Sequence, residues 1–143
     1  MTTHVFNSKR LLAISTVAAI GAVVIPGSAM AAVANAPPSL LVFNQKVTGS
    51  SVSIDYANIP ADGYVVVYAA DSEGKRTGEL LGSLPVKAGS HMDLKVDLSA
   101  SPKAGALLWA SLYKDKDGKE GFDAKGDQPV WTKLPMQNAF KVE

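Results

Sequence analysis

Residues 91–99, HMDLKVDLS, alternate without a break between apolar and polar side chains. Met92, Leu94, Val96 and Leu98 fall on one side, and His91, Asp93, Lys95, Asp97 and Ser99 on the other. Successive Cβ atoms of a strand point to opposite faces, so this period of two belongs to a β-strand with one face on a core. A helix would need apolar residues both three and four apart, and here every interval between them is even, with none of three.

Outward from it the chain keeps the same character. Upstream, Lys87-Ala88-Gly89 is a turn, and residues 79–86 form a weaker strand in which Pro85 demands an edge or an end. Residues 71–78, DSEGKRTG, are a charged loop. Before them YVVVYAA, residues 64–70, is a β-branched and aromatic run suited to a central strand covered on both faces. NIPADG, residues 58–63, carries the Pro and Asp-Gly of a turn. Residues 51–56 alternate, and residues 39–47 are extended and partly apolar. Downstream, ALLWASLY at 106–113 is another buried strand, and Phe140 and Val142 mark a closing one. About seven strands, spaced by roughly 8–12 residues with no amphipathic helix, predict an all-β fold. The pattern favours an immunoglobulin-like antiparallel β-sandwich over residues 39–143, with a small Greek-key barrel as the alternative.

The other end of the chain reads as an address. Met1 to Arg10 is polar and closes on Lys9-Arg10, residues 11–25 (LLAISTVAAIGAVVI) are uncharged and mostly apolar, and Ala29-Met30-Ala31 is a small-x-small cleavage pattern. Residues 1–31 therefore read as a signal peptide, with cleavage before Ala32 or before Asn35 and a short leader over 32–38. A membrane anchor is the competing reading. The apolar run spans about 22 Å as a helix, short of a ~30 Å hydrocarbon core, although no charge follows until Lys46. Export places the protein in the periplasm or outside the cell, with no stable membrane insertion once the signal is gone.

Loss of Lys9 and Arg10 leaves twelve basic residues against thirteen acidic ones, a net charge of −1. Such a balance lacks the basic excess of a nucleic-acid binder. The chain has no cysteine. Its fold must be held by the core alone, and thiol nucleophiles, thiolate zinc sites and blue copper are excluded.

Chemistry is sought in residues 114–136, because connections beyond about 12–15 residues are usually functional. The segment KDKDGKEGFDAKGD places Asp115, Asp117, Glu120, Asp123 and Asp127 among three glycines. Carboxylates and sharp turns are what calcium requires, and Asp115, Asp117 and Asp123 are the candidate metal ligands. An EF-hand does not fit: with Gly118 as its sixth residue, the first and twelfth would be Tyr113 and Ala124. The interleaved Lys114, Lys116, Lys119 and Lys125 favour a solvated hairpin extension instead.

His91 shares the polar face of its strand with Asp93 and Asp97, so a His–Asp pair is conceivable, but no Gly-x-Ser-x-Gly elbow accompanies it. An exposed strand-end histidine is the simpler reading. A soft-metal site from His91 with Met92 or Met136 fails because His91 and Met92 point to opposite faces of a regular strand. Aromatic residues of such a sandwich ordinarily fill the core. Trp131, within the long connection, is the one expected to meet a ligand or partner, with His91 a second candidate for that surface.

Several short matches run along the chain: Asn44-Gln45, residues 63–68, Leu81-Gly82-Ser83, Lys87-Ala88-Gly89-Ser90-His91, residues 94–98 and 108–112, Asp115-x-Asp117-Gly118 and Phe122-Asp123. Together they resemble a small extracytoplasmic domain of unknown function found in secreted and cell-surface proteins of haloarchaea and bacteria. The resemblance implies a β-sandwich outside the cytoplasm and supplies no activity or catalytic residue. The expected function is that of an exported, non-catalytic β-sandwich without a cofactor, acting on an unknown protein or envelope component. The alternative is a calcium-binding structural or adhesion module using residues 115–127.

Overall fold

A computed structural model describes residues 36–143; the expected signal peptide and the first part of the leader lie outside the described residues. The strands are β1 (Ser39–Leu41), β2 (Ser51–Ile59), β3 (Gly63–Ala70), β4 (Arg76–Val86), β5 (Gly89–Asp97), β6 (Leu107–Lys114), β7 (Gln128–Pro129) and β8 (Gln137–Lys141). They form two antiparallel sheets, one in the order β1-β2-β5 and the other β4-β3-β6, with β7 and β8 sharing the free edge of β6. The two sheets are separate and do not close on each other as a barrel; the fold is a β-sandwich.

Between the sheets lies one core. Val52, Ile54, Ala57 and Ile59 come from β2, Val65 and Val67 from β3, Val96 from β5, Leu108, Ala110 and Leu112 from β6, and Phe140 from β8. Burial of a side chain of this kind stabilises by roughly 1.5–3 kcal/mol, so the core holds the fold without disulfides. β3 is central, as its run of apolar residues requires, and Pro85 sits in the edge strand β4, where its missing N–H costs no ladder bond.

β4 begins at Arg76, inside the expected 71–78 loop, and β2 runs on to Ile59; the two larger departures from the sequence reading lie elsewhere. Residues 39–47 are not one strand. β1 ends at Leu41, and the chain then crosses to the other sheet, where Gln45 bridges Val142 in parallel. The crossing is held by side chains of β2: Asp55 Oδ2 accepts from the Phe43 N–H at 3.0 Å. The second departure is in β2 and β5. The inward positions of β2 run 52 and 54, then 57 and 59, so the alternation changes phase at Asp55 and Tyr56. β5 changes phase opposite, at Asp93, which takes a left-handed φ of 52°. Asp tolerates that conformation better than most residues. Because a phase change sends every following side chain to the other face, Met92 does not share the core side of Leu94 and Val96. It is 72% exposed, opposite Tyr56, while His91 turns to the Ala57 side.

Candidate functional site

The connection between β6 and β8 folds down onto the outer face of the larger sheet. β3 and β6 present Tyr64, Val66, Tyr68, Trp109 and Tyr113 on that face, and Phe122 from the connection closes over them. Phe122 meets Tyr113 edge-on at 4.7 Å between ring centroids and Tyr64 at 5.8 Å, the geometry that aromatic quadrupoles prefer. The Tyr64 hydroxyl donates to the Lys119 carbonyl oxygen at 3.3 Å. A second, aromatic core therefore underlies residues 114–127, which are more than a solvated hairpin.

Asp127 organises the turns above it. It is buried, with Oδ1 accepting from the Lys116 N–H at 3.2 Å and Oδ2 from the Asp123 N–H at 2.9 Å. Asp115 Oδ1 accepts from the Gly118 N–H at 2.8 Å, and Asp117 Oδ1 from the Lys119 N–H at 2.9 Å. That backbone bond is the first cause that lowers the Asp117 carboxyl below its ordinary value, with Lys119 adding to it. Asp117 Oδ2 is buried without a hydrogen bond; Lys119 Nζ forms an ion pair with it at 3.3 Å but is not aligned to donate. Gly126 is packed so closely against this oxygen that a Cβ there would collide with it. Carboxylate oxygens of Asp115, Asp117 and Asp127 lie within 4.8 Å of one another. Asp123 stands outside that trio; its Oδ1 accepts from the Lys125 N–H at 2.9 Å. Desolvation raises the nearby Tyr64 hydroxyl, and the three carboxylates of Asp115, Asp127 and Asp117 raise it further.

Past this region the chain returns to β6 twice. β7 pairs with Tyr113 and Lys114, and β8 with residues 107–111 of the same strand. Between them Leu112 bonds both sides of an outward excursion: its carbonyl accepts from the Val130 N–H at 2.9 Å and its N–H donates to the Met136 carbonyl at 3.0 Å. β7 and β8 are thus one interrupted edge strand, and residues 131–135 are looped out of it. Val130 at the base is fully buried, whereas Trp131 is 55% and Leu134 72% exposed at the tip. Sequence position alone singled out Trp131; the excursion shows why it is outside.

A cavity of about 150 Å³ opens beside the excursion, lined by Leu112, Pro129, Trp131, Pro135, Met136 and, as the only cation among the described residues that line it, Arg76. Arg76 starts on β4 and reaches over β3 to β6. Its guanidinium carbon stands 4.6 Å above the Tyr68 ring, and Nη1 donates to Ser111 Oγ and Tyr113 Oη, both at 3.4 Å. Tyr68 in turn donates to the Tyr113 hydroxyl at 3.2 Å. Burial, then the Tyr113 hydroxyl, holds the Tyr68 phenol well above its ordinary value. Arg76 has no carboxylate partner among the described residues. In the sequence Arg76 falls inside a charged loop, and nothing local shows that its partners lie 35 and 37 residues away.

His91 is remote from these groups. Its Nε2 donates to the Lys87 carbonyl oxygen at 2.6 Å. Asp97 accepts from Ser51 Oγ on the outer face, and no His–Asp pair forms among the described residues.

Two proteins of Haloarcula hispanica are similar to the chain. Cell surface glycoprotein 1 is 30% identical over 93 residues, and Cell surface glycoprotein 2 is 28% identical over 91. Each alignment covers 64% of this chain and 10% of the relative, so the chain spans about a tenth of the length of the curated relatives it matches. A family model described as a domain of unknown function, DUF7282, matches residues 38–137, which span the sandwich from β1 into β8; the chain belongs to that family.

Proposed function

We propose that this protein is a non-catalytic module of the cell surface that binds an envelope component through the face built by Trp131, Leu134 and Arg76. One observation carries the reading: an exposed indole is held on a short excursion whose two ends are bonded to a single core residue, Leu112. Recognition surfaces favour aromatic side chains presented from a fixed scaffold, because little conformational entropy is then lost on binding. The two relatives bear the name of cell-surface glycoproteins, which supports a place outside the cytoplasm for this chain as well. Export in a periplasmic or secreted form, by way of residues 1–31, fits the same reading. The test is co-sedimentation of the purified protein with isolated envelope polysaccharide. Retention that is lost in Trp131→Ala, with the melting temperature unchanged, supports the proposal; no retention of the parent protein overturns it.

A second reading, a calcium-stabilised module, is favoured by the buried, hydrogen-bond-free Asp117 Oδ2 beside Asp115 and Asp127. Calcium takes six to eight oxygens, so backbone carbonyls and waters would complete such a site. A cation held at 100 times its dissociation constant adds about 2.7 kcal/mol to stability. A melt unchanged by millimolar calcium removes this reading.

A further inference from the structure

The cavity beside Trp131 is small, mostly apolar and has one charge on its wall. Those three properties restrict what can enter. About 150 Å³ is the space that receives one six-membered ring, as an apolar cavity of that size takes up benzene. The walls from Pro129, Trp131, Pro135 and Met136 suit the non-polar face of such a ring, and the indole of Trp131 is exposed to stack on it. Arg76 supplies the charge. Its hydrogen bonds engage Nη1 alone, so the N–H groups of Nε and Nη2 have no partner among the described residues. Those two nitrogens form the planar fork that binds a carboxylate through two parallel bonds.

An occupant that fills the cavity and also engages the fork brings a ring and an anionic group such as a carboxylate, most compactly on one unit. An internal peptide residue brings one or the other: Asp and Glu have no ring, and Phe, Tyr and Trp have no carboxylate. A uronic acid has both. We propose that this cavity receives a single uronate residue of an acidic polysaccharide, its ring against Trp131 and its carboxylate on Arg76. The proposal rests on the reading of this face as a binding surface and names the chemistry it would bind.

Titration of the protein with trigalacturonate, followed by tryptophan fluorescence and calorimetry, tests it. Saturable binding is expected, weaker by about tenfold or more for the methyl ester, which cannot engage the fork as an anion. Arg76→Gln should show the same loss while still melting in one cooperative step, since it gives up its contacts with Tyr68, Ser111 and Tyr113 but no core side chain, and Trp131→Ala should lose binding as well. Arg76→Lys, which keeps the charge and removes the fork, should fall between parent and Arg76→Gln. The proposal is overturned if the ester binds as tightly as the acid, if Arg76→Gln binds like the parent, if polyglutamate competes equally per carboxylate, or if no saturation is reached at millimolar sugar. Retention on envelope polysaccharide by Arg76→Gln would remove the uronate and leave the binding module standing. Absence of all retention by the parent would remove both.

Discussion

The side-chain amide of Gln45 is bonded to both main-chain polar groups of Ser53: Nε2 donates to the Ser53 carbonyl oxygen at 2.8 Å, and Oε1 accepts from the Ser53 N–H at 2.8 Å. The backbone of Gln45 bonds the other way. Its N–H donates to the Lys141 carbonyl at 3.1 Å, and its carbonyl accepts from the Glu143 N–H at 2.9 Å. One residue thus extends the ladder of β8 with its main chain and completes the edge of β2 with its side chain. An amide is the only side-chain group with a donor and an acceptor at the spacing of a peptide, so a Gln here acts as an additional strand residue.

Gln45→Ala should therefore leave the Ser53 N–H and carbonyl without protein partners and cost about 1–3 kcal/mol. Gln45→Glu keeps the size and the acceptor but opposes a carboxylate to the Ser53 carbonyl, and it should lose nearly as much. Urea denaturation of the three proteins decides this. A loss confined to Gln45→Ala would show that packing, and not the pair of bonds, holds the crossing.

Gly63 pairs with Lys114 at the end of β3, where a Cβ would fall on the Tyr113 carbonyl oxygen and against backbone that cannot give way. Gly63→Ala should destabilise by about 1–3 kcal/mol or more. Gly78, on β4, has open space around the same position, so Gly78→Ala should stay within about 0.5 kcal/mol of the parent. Thermal melts of both variants compare them directly.

Regular strands were legible in the sequence wherever one face is buried and the period of two is unbroken, as at residues 94–98 and 51–54. The central position of β3 was legible from its apolar run. What could not be read were effects of distant partners. The phase change at Asp93 depends on the matching irregularity at Asp55, 38 residues away, and local periodicity places Met92 on the wrong face. Burial of Asp127 depends on Lys116 and Asp123 turning their N–H groups to it. Among five similar carboxylates nothing local distinguished it. For Arg76 one signal existed: it is the only arginine after residue 10, on a chain otherwise using lysine.

Stability should decline toward acid pH through two carboxylates in particular. The Asp117 carboxyl is lowered chiefly by the Lys119 N–H, and that of Asp62 chiefly by the Lys87 side chain at 2.8 Å. A folded value below the unfolded one of about 3.9 means that each contributes above that pH and loses its contribution as the pH falls through the folded value. Lys87, raised by Asp62, behaves in the opposite sense: its contribution is present below its unfolded value and lost as the pH rises through the folded one. Denaturation midpoints of Asp117→Asn and Asp62→Asn between pH 2 and 7 should show a flatter acid limb than the parent. Identical slopes would exclude these two groups as its source.

Asp127 and Asp123 offer the sharpest contrast in the long connection. Both are acidic and four residues apart, yet only Asp127 is buried and receives N–H groups from two separate turns, those of Lys116 and Asp123. Removal of its carboxylate by Asp127→Ala leaves those N–H groups without their acceptor, at about 1–3 kcal/mol. The loss should open residues 115–127 before it unfolds the sandwich, because the connection is anchored on the sheet mainly through Phe122 and the Tyr64 hydroxyl. Asp123→Ala removes only a bond to the Lys125 N–H within a surface turn and should change little. Limited proteolysis with trypsin, which has Lys114, Lys116, Lys119 and Lys125 available in this segment, should cut Asp127→Ala there well before the parent and Asp123→Ala at the parent's rate. Equal cutting of the two variants would mean that the aromatic contacts alone hold the connection down.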